Sequence, residues 1–365
     1  MDNKGVHCML QDMHGNVYLI SPPWKIPQIW KVDTYGQIWQ CSILHTTYPN
    51  SLDEKSYWER GYFNSRTFRM EMNDLIVIDH IFQGGKSPES IDVIFFLDLT
   101  SRQWSIPGLF RRRDEREDAL NDCKTVRGDY VYFGTSLGLQ RVDIDRIPMV
   151  SGSKEKSPYL PGMMCNPQGK WERLTHWPHP MYNAFLISHK GKIYAFEKEQ
   201  QLQSRSKRVL LHTLYEFNFT SWLWTSISCT GGLHSLEDME AALVKDTIFV
   251  LGLDCSDAYA APGPTIFALD LSKKPLAWIE IAKFETNLNQ DPFRAGTDMP
   301  LHPHIAPFKD TICIYVSRRF DPYPGGPVHL DKNLIWVLDK RITDEALGRN
   351  RPDSTHVQPS TSRVR

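Results

Sequence analysis

The chain has 365 residues, with 42 Lys and Arg against 43 Asp and Glu and a formal net charge of −1. A surface so balanced gives no electrostatic case for nucleic acid or an anionic membrane as partner. Hydrophobic residues at 41% and aromatics at 12% suffice for a core, while no run approaches the roughly eighteen apolar residues of a membrane span.

The N-terminal MDNKGVHCMLQDMHG lacks the apolar stretch of a secretory signal. From Val6, VHCMLQDMHGNVYLIS reads as a strand, a polar turn and a second strand, and IWKVDTYGQIW continues with a third strand, an Asp33-led turn and a fourth strand at Trp39. The same grammar returns as FRMEMNDLIVIDH from Phe68, followed by IFFLDLTSRQW with Asp98 and Trp104. A third copy runs from Lys124 as KTVRGDYVYFG and reaches Asp143, after which an insertion delays its Trp to Trp171. The fourth copy pairs YNAFLISHKGKIYAFE from Tyr182 with LYEFNFTSWLW, carrying Asn218 and Trp224. Met239 to Trp278 forms the fifth, and the sixth opens as IAPFKDTICIYV from Ile305 and stops at Asp339 without a following Trp.

Asp33, Asp98 and Asn218 each stand six residues before a Trp. The spacing has a physical reading: a short polar side chain accepts backbone N–H bonds where the third strand ends, and the Trp lands on the fourth strand against a neighbour. Six such units predict an all-β, six-bladed β-propeller with four-stranded blades over residues 1–342, the blades falling at about 6–45, 67–108, 123–175, 182–229, 239–283 and 304–340. The sixth is expected to be three-stranded, or to borrow a short strand near Arg341 to Thr343, leaving Val17, Leu19, Ile312 and Ile314 to close the ring by packing on one another. Residues 343–365, rich in Ser, Thr, Pro and Arg, read as a disordered tail.

The repeat resembles the kelch repeat, with Gly84-Gly85 matching the adjacent glycines that a kelch blade carries at the end of its second strand. The resemblance covers residues 6 to about 340 and implies a non-catalytic protein-interaction module, a scaffold or a substrate-recognition subunit of a ubiquitin ligase, without a BTB or F-box domain. The seven Cys are scattered with no CxxC pair, which points to a reducing compartment, cytoplasmic or nuclear.

In such a blade the loops after the second and fourth strands share one face, and here those are the long ones. The expected partner is another protein. Its candidate contacts on that face are the basic groups Arg111, Arg112 and Arg113, then Arg205, Lys207 and Arg208, then Arg318 and Arg319 with Tyr323, together with Trp24 and Trp177, since Arg and aromatics dominate binding hot spots. No catalytic residue, metal or cofactor is assigned, and no G-x-S-x-G, H-E-x-x-H or P-loop occurs. The alternative is an enzyme or small-ligand binder with its site at the propeller channel. It would use His302 and His304, just before an innermost strand, with loop carboxylates; His176 and His179 are the other local pair.

Overall fold

The computed structural model describes residues 8–20, 28–35, 38–47, 63–71, 74–83, 89–111, 119–127, 130–135, 138–143, 172–178, 184–197, 213–231, 233, 236–254, 263–283, 302–317 and 335–349. They form six antiparallel up-and-down sheets in sequence order, the blades of a propeller. Blade one holds β1 (Cys8–Gln11), β2 (Val17–Ile20), β3 (Ile29–Tyr35) and β4 (Ile38–Ile43). Blade two holds β5 (Phe63–Glu71), β6 (Asp74–Gln83), β7 (Glu89–Asp98) and β8 (Gln103–Arg111). Blade three holds β9 (Ala119–Arg127), β10 (Tyr130–Thr135), β11 (Gly138–Asp143) and β12 (Glu172–His176). Blade four holds β13 (Ala184–His189), β14 (Lys192–Glu197), β15 (Leu214–Asn218) and β16 (Leu223–Ile227). Blade five holds β18 (Leu236–Val244), β19 (Thr247–Asp254), β20 (Gly263–Asp270) and β21 (Leu276–Lys283), with β17 (Cys229–Thr230) added in parallel outside β21. Blade six holds β22 (His302–Phe308), β23 (Thr311–Ser317) and β24 (Ile335–Val337), followed by helix α1 (Lys340–Ala346).

A blade packs through both faces, so its strands show continuous buried runs in place of the alternation of a half-solvated sheet. Val17–Ile20 are all buried, as are Ile193–Phe196 and Ile248–Leu251. Alternate side chains go to opposite neighbours. On β14, Ile193 and Ala195 join the core shared with blade three, whereas Tyr194 and Phe196 join the one shared with blade five. On β19, Ile248 and Val250 face blade four while Phe249 and Leu251 face blade six.

The same alternation shows how the ring closes. Val17 and Leu19 lie between blades one and six, packed with Met9, Ala306, Phe308 and Cys313. Ile312 and Ile314, expected there, project from the other face of β23 into the core with blade five; Cys313 between them is the residue that meets blade one, its Sγ 2.8 Å from Met9 Sδ. Among the described residues no strand is exchanged between the first and last blades, and β1 and β22 lie side by side as innermost strands.

The turn chemistry of the repeat is visible atom by atom. Asp98 Oδ1 accepts from the Thr100 N–H (2.7 Å), Asn218 Oδ1 from those of Thr220 and Ser221 (2.8 and 3.1 Å), and Asp270 Oδ1 from that of Ser272 (3.0 Å). The Trp residues then sit at the seams. Trp104 is buried and donates from Nε1 to Thr46 Oγ1 of blade one (3.0 Å), Trp224 stacks on Trp177, and Trp278 packs edge-on against Phe196 of blade four. The segment leaving one blade runs beside the outer strand of the next: Thr47 bridges to Gln103, and Cys229 and Thr230 pair with Leu276 and Ala277. The expected Trp171 partner of Asp143 lies outside the described residues, and β12 takes the fourth place in that blade.

Blade six matches the first of its two expected forms. Its described strands number three, and in place of a borrowed strand at Arg341 to Thr343 the chain forms α1. Residues 343–349 are therefore folded where a tail was expected. Asp339 caps the helix by accepting from the Arg341 N–H (2.9 Å). At the other end Gly348, at φ +63°, lets its own N–H reach Glu345 O (2.9 Å) and that of Arg349 reach Asp344 O (2.7 Å). Leu347 is buried between blades five and six.

Two measurements check this packing. Trp104→Ala should lower unfolding stability in urea by about 3–5 kcal/mol, through a cavity and the loss of the Thr46 bond; a variant as stable as the parent would place Trp104 at the surface. The carboxyls of Asp98, held down by the Ser101 hydroxyl, of Asp310, held down by Lys245, and of Asp270 all lie below the ordinary range. At Asp270 burial pushes upward, and the bonds from Ser272 and Arg349 outweigh it. A folded-state pKa below the unfolded value of about 3.9 gives stability that is whole above that pH and lost as pH falls through the folded value. Thermal stability should thus be flat with respect to these groups near neutrality and fall below about pH 4, and Asp270→Asn should narrow its deficit against the parent there.

Candidate active site

The innermost strands of blades five and six, β18 and β22, lie side by side at the channel edge of their sheets. Both are apolar where they pack, through Ala242 and Val244 on one and Ile305 on the other. Where the middle of β18 meets the first half of β22 the pairing changes character. Glu240 Oε1 and His304 Nδ1 are 2.5 Å apart across the blade boundary, and Glu240 Oε2 accepts from the backbone N–H of Ile305 at 3.3 Å. The side chains are 32% and 22% exposed, so the pair meets solvent and is not sealed in the core.

An ionised carboxylate can only accept, so the hydrogen of this contact belongs to His304 Nδ1. In the neutral imidazole that assignment leaves the lone pair on Nε2, the form in which the ring serves as proton acceptor or ligand, with the carboxylate fixing ring orientation. The bulge in the β18–β19 register between Glu237 and Glu240 falls at this point, and bulges re-aim side chains beside functional sites. His302 opens β22 with its side chain outside the description, and among the described residues no three His, Cys, Asp or Glu gather as a metal site.

The opposite end of the blades is electrostatically different. Lys190 of blade four meets Asp246 of blade five at 2.5 Å, with His189 Nε2 2.7 Å from the same oxygen, and Lys245 of blade five meets Asp310 of blade six at 2.6 Å. These are solvent-facing pairs that repeat from turn to turn, the pattern of blade registration, and each is worth little alone.

Of the residues expected to contact a protein partner, Trp177 is described in full, and it is buried, stacked on Trp224 at a centroid distance of 5.1 Å and packed against Leu186 and Tyr215. It pins the entry to blade four and presents no contact surface. Arg111 ends β8, with its side chain outside the description; Trp24, Arg112, Arg113, Arg205, Lys207, Arg208, Arg318, Arg319 and Tyr323 lie outside the described residues. His176 is exposed at the end of β12, and His179 is outside the description. Sequence reasoning picked out His304 but missed Glu240; the signal for it was a carboxylate inside the apolar run MEAALV.

No family model matches the chain, and no curated protein matches it. Among solved structures it is similar to Bacteroides ovatus xyloglucan PUL GH43B, at 12% identity and a TM-score of 0.37 over 70% of this chain and 48% of that one. It is also similar to the Bombyx mori GH32 beta-fructofuranosidase BmSUC1, at 12% identity and a TM-score of 0.38 over 85% and 68%. The chain thus spans about half the length of the first. The expected non-catalytic protein-binding function is corrected here: the solved structures that this chain is similar to carry the designations GH43B and GH32 beta-fructofuranosidase. At this identity the likeness concerns the fold, and the case for a site rests on Glu240 and His304 themselves.

Among the described residues no helix is long and apolar enough to cross a membrane. For the dyad, Glu240→Ala should cost about 1–2 kcal/mol, since it strips a charge-assisted bond and leaves the Ile305 N–H without that acceptor, and Glu240→Gln should cost less because an amide oxygen still accepts. Equal losses in urea titrations of the two variants would mean that the carboxylate contributes bulk and not hydrogen bonds.

Proposed function

We propose that the chain is a diverged kelch-like propeller that binds a small molecule at the channel mouth between blades five and six and performs acid–base chemistry on it. The observation behind this reading is the Glu240–His304 pair: two titratable side chains from different blades, in short contact, partly open to solvent at the inner edge of the ring. A structural ion pair would serve packing equally well out on the blade surface, where Lys245 and Asp310 already fill that role. On the innermost strands the pair instead faces the one concavity that a propeller provides, and concave sites with a few convergent polar groups are where small ligands are held.

In this reading His304 exchanges a proton with the ligand through Nε2. Glu240 fixes the tautomer and stabilises the imidazolium when it forms, and the Ile305 N–H holds the second carboxylate oxygen so that the group does not swing away. The free thiols of Cys8, Cys41, Cys229 and Cys313 suit a reducing compartment, and we place the protein in the cytoplasm or nucleus on that basis.

The test is turnover of aryl glycosides, aryl esters and aryl phosphates by the purified chain, with melting temperature as the control for folding. One class should be hydrolysed, and His304→Asn should lower kcat by about 10²–10⁴-fold in a protein that still melts cooperatively. An unchanged kcat in that variant, or no turnover of any class, would refute the proposal.

A further inference from the structure

Blade six has no fourth strand among its described residues, yet the segment that follows β24 is anchored at both ends. At its start Leu338 extends the strand pairing, its N–H donating to Ile312 O (3.0 Å) and its carbonyl accepting from Thr311 Oγ1 (2.9 Å). Lys340 then reaches Asp310 at 3.7 Å, the carboxylate already held by Lys245 of blade five. At its end the chain crosses back onto blade five. Arg349 donates from Nε and Nη2 to Asp270 Oδ2 (3.0 and 2.6 Å) and from Nη2 to Thr247 Oγ1 (2.6 Å), with Asp344 Oδ1 3.9 Å from its Nη1, and Lys273 Nζ donates to Leu347 O. Asp270 is 4% exposed and is the same residue whose other oxygen forms the turn between β20 and β21. One carboxylate therefore both shapes the blade-five turn and holds Arg349.

A planar guanidinium making three bonds to a buried carboxylate and a buried hydroxyl is a directed contact, unlike the single exposed pairs elsewhere on that face. Between its anchors the segment buries Thr343 and Leu347 alone, the latter in the core shared by Ala242, Val244, Ile305 and Ile312. So few buried groups make it the part of the interface most readily released.

We infer that residues 339–349 form a releasable latch, closed by Arg349 on Asp270 and Thr247, that keeps blade six docked on blade five. Glu240 belongs to blade five, and His304 and Ile305 to blade six, so their hydrogen bonds exist only while the two blades are docked. Opening the latch therefore dismantles the dyad. This consequence draws on the site reading above, whereas the latch itself stands on the contacts of Arg349.

Hydrogen exchange of the full-length protein tests the latch without any ligand. In Arg349→Ala, peptides covering 302–308 and 335–338 should exchange at least about tenfold faster, while those covering 184–197 in blade four keep the parent rate. Thr247→Val, which removes one of the acceptors, should give a smaller change in the same two segments. Unchanged exchange in 302–308 and 335–338 would overturn the latch. So would a uniform rise across every blade, because the segment would then be an integral part of one cooperative core. If exchange responds as expected but no substrate is turned over, the latch stands and the site reading falls.

Discussion

A sheet with two apolar faces cannot leave either face in water, and everything in this molecule follows from that constraint. Every second-strand run described in blades one, four, five and six is buried on both sides, so each blade needs two neighbours, and the only arrangement of six blades that gives each of them two is a closed ring. The chain spends its side chains accordingly. Along β23 Ile312 and Ile314 turn to one neighbour and Cys313 to the other, and along β10 Tyr132 turns to blade four while Val131 and Phe133 turn to blade two.

Ring closure raises a second requirement, that consecutive blades keep their register where no backbone bond joins their sheets. Polar side chains meet it at the rim. Asp98, Asn218 and Asp270 fold the outer turns so that Trp104, Trp224 and Trp278 reach the seams, and at the same end of the blades the turn-to-turn pairs Lys190–Asp246 and Lys245–Asp310 link three successive blades. Asp270 goes further than its counterparts: with one oxygen in the turn and the other on Arg349, it links the repeat to a part of the chain that lies outside it.

How much of this could be read in the sequence follows from the range of the interactions involved. The blades and their turns are local, set by short spacings such as Asp98 to Trp104, and they were legible. Closure was legible in part, because which face of β23 looks at blade one depends on a one-residue phase that apolar neighbours such as Ile312, Cys313 and Ile314 do not reveal. Helix α1 was missed although DKRITDEALGR carries an Asp cap and a terminating Gly nine residues apart, since the polarity of the tail outweighed those signals. The Glu240–His304 pairing was out of reach: its members are 64 residues apart, and although a carboxylate inside MEAALV is visible, nothing local joins it to the His.

The position of that pair explains why a polar contact is tolerated between two strands that are otherwise apolar partners. Farther along the interface, Ala242, Val244 and Ile305 exclude water, and a carboxylate placed there would carry a desolvation cost that one imidazole does not offset. At Glu240 and His304 the exposure of both groups lowers that cost, and the Ile305 N–H supplies a bond that the backbone would otherwise leave to solvent. A dyad at this point therefore draws its geometry from two packed blades while both side chains stay in contact with solvent. This combination, a rigid frame with solvated reactive atoms, is what proton exchange with a small molecule requires.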